Sequence, residues 1–289
     1  MPNDDTRQAA REPKRRAPLG ARWMFAILIL AFLFVLMPFL FWNATWFGRP
    51  MSDAQISQAL VERSHPREIQ HALTQIESRM EARDPGVIRW YPQVLALASD
   101  PMDEIRVTDA WVMGQDNKNP GFRDALIKLL NDRNPMVQRN AALSLVRFDD
   151  DSGHGQIVDM LRPYGIEAPL AGRIETRLKP GDTVNPGTLL AHIDVGGQSR
   201  EVRSQVPGTV ENWLVPDGST VSAGQRIALL APSESMVWEA LRALYLVGHV
   251  ADLPDIQRFA RGADGMSSQI AQQAQYTSAA IRARSTSSP

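Results

Sequence analysis

Five histidines are the residues best suited to acid–base or metal chemistry: His65, His71, His154, His192 and His249. No two stand three or four residues apart, the spacing that sets a pair of imidazoles on one helix face around a metal. Cysteine is absent, which excludes thiolate metal sites, thiol nucleophiles and disulfides together. Asp149-Asp150-Asp151-Ser152-Gly153 begins like a calcium loop, but the twelfth position counted from Asp149 is Met160, where such a loop needs an acidic ligand. A solvated turn capping the next helix is the expected role. There is no Gly-x-Ser-x-Gly elbow, phosphate loop or dinucleotide fingerprint. Trp90, Trp111 and Trp238 fall on apolar helix faces and read as core. Trp213, beside Asn212 on a strand, is a candidate anchor for a partner. The sequence thus assigns no catalytic, cofactor-binding or metal residue, expects no cofactor, and does not read as an enzyme.

Composition narrows the class further. A net charge of −1 over 289 residues leaves no basic excess to neutralise phosphates, so nucleic acid is not an expected partner. The lack of cysteine does not distinguish a reducing from an oxidising compartment. The length beyond residue 50 suffices to bury a core without disulfides.

Trp23 to Trp42 is a run without a single charge. About 20 apolar residues, at about 1.5 Å each, cross the hydrocarbon layer as a helix. Trp23, Trp42 and Trp46 would sit at the two interfaces. A transmembrane helix is therefore expected over 23–47. A cleaved signal peptide is the competing reading; its apolar core is shorter and ends at small residues, for which Asn43-Ala44-Thr45 is a weak match. Arg7, Arg11, Lys14, Arg15, Arg16 and Arg22 precede the run, and only Arg49 follows closely. Basic residues stay cytoplasmic, so residues 1–22 read as a disordered basic cytoplasmic tail and the body as extracytoplasmic. The expected location is a bacterial inner membrane, crossed once, with the body in the periplasm.

Residues 52–163 carry apolar positions at three- and four-residue steps over 53–64, 67–83, 87–98, 103–114, 121–131, 135–147 and 154–162. Asp84-Pro85-Gly86, Asp100-Pro101, Asn119-Pro120-Gly121 and Asn134-Pro135 punctuate them, each ending one helix and opening the next. Ile105 after Asp100-Pro101 and Val137 after Asn134-Pro135 stand 32 residues apart, about one helix pair. Leu126-Ile127-Lys128-Leu129-Leu130-Asn131-Asp132, followed by Asn134-Pro135-Met136-Val137-Gln138-Arg139-Asn140-Ala141-Ala142-Leu143, resembles a HEAT repeat. That resemblance implies an α-solenoid and, as in most of the family, a binding platform. A nonrepetitive helical bundle is the alternative.

From residue 166 to 231 the chain turns rich in Val, Thr, Gly and Pro, a β pattern. It is also an internal repeat. Ala168-Pro169-Leu170-Ala171-Gly172-Arg173-Ile174-Glu175, Pro180-Gly181-Asp182 and Gly187 are echoed by Ser204-Gln205-Val206-Pro207-Gly208-Thr209-Val210-Glu211, Pro216-Asp217-Gly218 and Gly224. The segment resembles the biotinyl/lipoyl domain, a flattened barrel of two interlocked halves. The resemblance implies a lysine at the tip of the hairpin joining the halves, where the carrier cofactor is attached. That link is Asp194-Val195-Gly196-Gly197-Gln198-Ser199-Arg200-Glu201, without lysine, and Lys179 lies before the Pro180-Gly181-Asp182 turn. The domain is also similar to the barrel of bacterial membrane-fusion adaptors, although it lacks the long helical hairpin they insert between halves. Peptidases with a related barrel carry paired zinc histidines, whereas His192 stands alone in this segment.

Helical periodicity resumes over 233–284, with Leu253-Pro254-Asp255-Ile256 opening a helix as a HEAT helix would, and 285–289 reads as a frayed tail. The expected class is α+β, mostly α: a transmembrane helix, a HEAT-like α-solenoid, and an inserted small β barrel-sandwich domain. The expected function is a noncatalytic scaffold that binds protein partners or itself. The alternative is an accessory adaptor subunit of a membrane export or transport complex.

Overall fold

The computed structural model describes residues 20–44, 50–62, 65–262 and 265–287. The chain falls into two units, Met1–Pro50 and Met51–Pro289. In the first, α1 (Gly20–Ala44) contains Pro38. It begins three residues inside the stretch read as tail; residues 1–19 lie outside the described residues. Its described apolar side chains, Leu36 excepted, stand in the open, with Phe34 81% and Trp23 67% exposed. Among the described residues no helix is long and apolar enough to cross a membrane. The span expected over 23–47 is therefore not shown. The side chains of Met24, Ala26 and residues 39–44, and all of residues 45–49, lie outside what is described.

The second unit is mostly helical with one small β domain. Before that domain come α2 (Asp53–Val61), α3 (Pro66–Glu81), α4 (Tyr91–Leu97), α5 (Asp103–Met113), α6 (Pro120–Leu129), α7 (Pro135–Val146) and α8 (His154–Asp159). After it come α9 (Glu234–Val247), α10 (Leu253–Ala260) and α11 (Ser268–Ser287). The Asn-Pro and Asp-Pro signals act as caps. Asp84, Asn119 and Asn134 each accept a backbone N–H two residues on, at 2.8, 2.9 and 2.8 Å. The segment expected as one helix over 87–98 is instead a 3-10 helix, Pro85–Trp90, followed by α4. Pro92 has no N–H to bond the Ile88 carbonyl, so the α-helical ladder restarts there. The tail expected over 285–289 is helical as far as Ser287, and residues 288–289 lie outside the description.

The helices form two layers. One runs α3, α5, α7, α9, α11, each packed on the next; α2, α4 and α6 line up successively beside it. The 32-residue repeat is visible in hydrogen bonds. Arg106 Nη1 donates to the Asp100 carbonyl at 2.7 Å, and Gln138 Nε2 donates to the Asp132 carbonyl at 2.5 Å. Successive layers are stitched alike: Ser144 Oγ donates to the Ala110 carbonyl and Thr277 Oγ1 to the Leu241 carbonyl, both at 2.8 Å. One apolar core extends from Ile56 through Leu161 and on through Met236 to Ile281. The array is thus continuous across the β domain, because α7 and α8 pack on α9.

The β domain comprises β1 (Tyr164–Glu167), β2 (Gly172–Thr176), β3 (Thr183–Val184), β4 (Leu189–Val195), β5 (Gln198–Arg203), β6 (Gly208–Trp213), β7 (Thr220–Val221) and β8 (Arg226–Pro232). Two four-stranded sheets, ordered β1-β8-β6-β3 and β5-β4-β2-β7, enclose a core of their own. Each sheet takes two strands from each half of the sequence, and exchanging the halves maps one order onto the other. The register obeys the same exchange. Tyr164↔Leu230, Gly165↔Leu229 and Ile166↔Ala228 correspond to Arg200↔Ile193, Glu201↔His192 and Val202↔Ala191. So do the turns: Gly181 N–H donates to the Val210 carbonyl and Gly218 N–H to the Ile174 carbonyl, both at 2.8 Å. Gly172 and Gly208 are forced by close approach. A Cβ on either would lie 2.4 Å from a carbonyl oxygen, of Asp194 and Ala231 respectively. The pairing of β1 with β8 brings the two ends of the domain together, where α8 and α9 leave it.

Candidate functional site

The hairpin between β4 and β5 is where a carrier domain would hold its lysine. Here Gly196 (φ +61) and Gly197 (φ +86) form the turn between the paired Val195 and Gln198. These left-handed dihedrals at both central residues are those of a two-residue hairpin turn. Asp194 Oδ1 accepts the Gly197 N–H at 2.9 Å, which closes it. Lys179 is remote from this tip. Along β2, Arg173 faces Asp194 and Thr176 faces Ala191, so the chain leaves β2 away from the turn. No amine stands where a biotin or lipoyl amide would form, so the residues present do not fit either group. His192, on β4, has its Nδ1 2.8 Å from Ser199 Oγ.

Trp213 is not the exposed anchor expected. It packs half-buried against the barrel core, and its Nε1 donates to the Leu178 carbonyl at 3.0 Å. Trp90 is buried as expected, with Nε1 donating to Ser57 Oγ at 2.9 Å. Trp111 is part-exposed, and its Nε1 donates to Glu77 at 2.6 Å.

Barrel and array meet at Arg139 on α7. It is buried, its guanidinium lies 5.7 Å from the centre of the Tyr164 ring, and Nη1 donates to Met236 Sδ at 3.2 Å. Burial pulls its pKa down to about 10. It lines a cavity of about 260 Å³ with Gln138, Gln156, Arg162 and Tyr164.

A second junction joins the helices on either side of the barrel. His154 opens α8, while His249 and Asp252 bracket the 3-10 turn Val250–Asp252. His154 Nε2 lies 2.8 Å from Asp252 Oδ2, and the same oxygen accepts the His249 backbone N–H at 2.7 Å. The two imidazole centres are 4.4 Å apart, and His249 Nε2 is 3.7 Å from Asp151 Oδ2. Asp252 is buried, whereas Asp151 and His249 reach solvent. The sequence does not signal this cluster. His154 and His249 lie on opposite sides of the barrel in sequence, and the packing of α8 on α9 across it brings them together. Of the acidic run, Asp150 Oδ1 accepts the Ser152 N–H at 2.8 Å and so shapes a turn, but Asp150 is buried rather than solvated, and α8 begins after Gly153 with no side-chain cap, so the expected helix-capping role is not met.

At the C-terminal end of the array, α9 and α11 form a shallow groove of about 690 Å³ lined by Arg242, Tyr245, Leu246, Gln273, Tyr276 and Ala280. Tyr245, Leu246 and Tyr276 are 44%, 60% and 56% exposed. A groove lined by exposed apolar side chains is a natural contact surface.

Comparison with known proteins agrees with both parts of the second unit. Residues 91–161 match the family model described as HEAT repeats, and residues 165–230 match the biotin/lipoyl model described as "Biotin-requiring enzyme". The chain therefore carries a HEAT-repeat region followed by a biotinyl/lipoyl-type domain. No curated protein matches the chain.

Proposed function

From a HEAT array with a lysine-free barrel set into it, we propose a noncatalytic scaffold that binds protein partners. The Gly196-Gly197 tip carries this reading. A barrel with no amine at its tip has no carrier chemistry to perform, which leaves its surface, and that of the array, for binding. The apolar groove between α9 and α11 supports it. In this reading α1 anchors the chain in a bacterial inner membrane with the body outside the cytoplasm. The charge-free run from Trp23 to Trp42, the basic residues before it and the open apolar side chains of α1 support the anchor.

The test places a photo-crosslinking residue at Leu246 in intact cells. One discrete protein adduct is expected, and it should be lost when Tyr276→Asp puts a charge into the groove. An adduct pattern unchanged by Tyr276→Asp, or no adduct there or at Gln198, would refute the binding role. For the anchor, a phosphatase reporter fused after residue 289 should be active and one fused at residue 20 inactive; release of the chain by carbonate washing would count against it. The second reading, an adaptor subunit of an export or transport complex, is favoured by the barrel's likeness to membrane-fusion adaptors. It requires a ring of copies in detergent, which mass photometry would detect, and the scaffold reading does not.

A further inference from the structure

We propose that His154, His249 and Asp252, with Asp151 as fourth donor, form a zinc-class divalent-cation site that clips the helical array together across the inserted barrel. One donor atom from each of the first three already lies within 4.8 Å of the others. Asp151 adds a carboxylate oxygen 3.7 Å from His249 Nε2. Zinc takes imidazole nitrogen and carboxylate oxygen at about 2.0–2.2 Å, so tetrahedral donors stand roughly 3.3–3.6 Å apart. The 2.8 Å contact between His154 and Asp252 must open slightly, and the wider separations must close by about an ångström. Both are within reach of side-chain torsions.

The chemistry of the cluster favours a cation. Two imidazoles, their planes tilted by 35°, lie beside a buried carboxylate. A divalent ion satisfies all the donors at once. Two nitrogen donors point to zinc rather than to calcium or magnesium, which prefer oxygen alone. The outer shell is in place, because the Asp252 carboxylate is held by the His249 backbone N–H at 2.7 Å. Exposed Asp151 and His249 leave a path for the ion to enter. His154 precedes the barrel in sequence while His249 and Asp252 follow it, so the ion would tie α8 to the turn before α10 and brace the junction from which the barrel leaves. This inference is independent of any partner or membrane reading.

The full chain, solubilised in detergent and stripped with EDTA, should bind one equivalent of Zn²⁺ by calorimetry. At a hundredfold excess over Kd its melting temperature should rise by about 5 °C or more. Co²⁺ in place of zinc should give the visible absorption of a four-coordinate ion. His249→Ala, at an exposed position, should weaken binding by more than about 100-fold and abolish the melting shift, while His192→Ala should change neither. His154→Gln provides a second disruption should His249→Ala perturb the turn. Absence of stoichiometric zinc binding, or equal affinity in wild type, His249→Ala and His154→Gln, would overturn the proposal.

Discussion

Replacing residues 166–231 with a four-residue Gly-Ser linker tests whether the array is one cooperative body. Gly165 pairs with Leu229, so Gly165 and Pro232 are separated by three strand residues and one interstrand step, about 11 Å. Four linker residues reach roughly 17 Å and can close the gap. Shortening the connection from the whole barrel to four residues is about four doublings in reverse, worth roughly 2.4 kcal/mol in favour of folding. Against this, Met136 and Tyr164 lose their cover from the barrel core, at about 2–3 kcal/mol together. The two nearly cancel, so the linker variant should melt cooperatively within a few degrees of the parent. Truncation after Pro232 differs in kind. It strips the buried Met236, Val237, Ala240, Leu241 and Leu244 of α9 from the array, a loss on the order of 8 kcal/mol, comparable to the whole stability of a domain. Circular dichroism melts and gel filtration of both variants provide the measurement. A linker variant that unfolds while the truncation stays monomeric and folded would mean that the helices before and after the barrel are separate units.

Asp109 is fully buried on α5, with neither carboxylate oxygen hydrogen-bonded among the described residues; burial, then the nearby Asp100, pushes its pKa well above the ordinary value. Between the ordinary carboxylate value and that raised one, the folded chain holds the extra proton, so stability should fall as pH rises, by up to about 1.4 kcal/mol per pH unit. Asp109→Asn should flatten that slope and raise the urea midpoint at pH 7.5; an unchanged slope would refute this. Arg106→Ala should cost about 2–3 kcal/mol, because the buried Arg106 loses its charged hydrogen bonds to part-buried Asp132, made through Nε at 2.7 Å and Nη2 at 2.8 Å. A urea midpoint close to the parent's would contradict it. Intact mass of the chain coexpressed with biotin and lipoate ligases should show no adduct, since Gly196-Gly197 offers no amine; an adduct on the parent chain would refute the reading of the tip.

The most legible parts of the fold were those set by local backbone chemistry. Asn119-Pro120 and Asn134-Pro135 mark helix starts because a side-chain acceptor and a missing N–H act within one turn. The repeated glycines of the barrel were legible for a similar reason: Gly172 and Gly208 each face a carbonyl that no side chain can accommodate. The break at Pro92 was obscured by an apolar pattern that continues through it. Trp213 gave no sign of direction, because its Nε1 finds a carbonyl in a loop from the other half of the barrel. The cluster of His154, His249 and Asp252 was invisible for the deepest reason: its members lie on either side of the inserted segment and meet where the helices before it pack on those after it.

The exchange of halves in the barrel makes it a lever with two matching ends. Under that exchange the β4–β5 hairpin corresponds to β8 beside β1, pair for pair. One hairpin is closed by Gly196-Gly197, while its counterpart is left open and feeds the helical array on both sides. The array therefore grips the barrel at the image of the place where a carrier domain would hold its cofactor. Two hydrogen-bonded strands, rather than a single tether, transmit any load between them. A push on the Gly-Gly tip would reach α8 and α9 together, and with them the two sides of the array that the barrel interrupts.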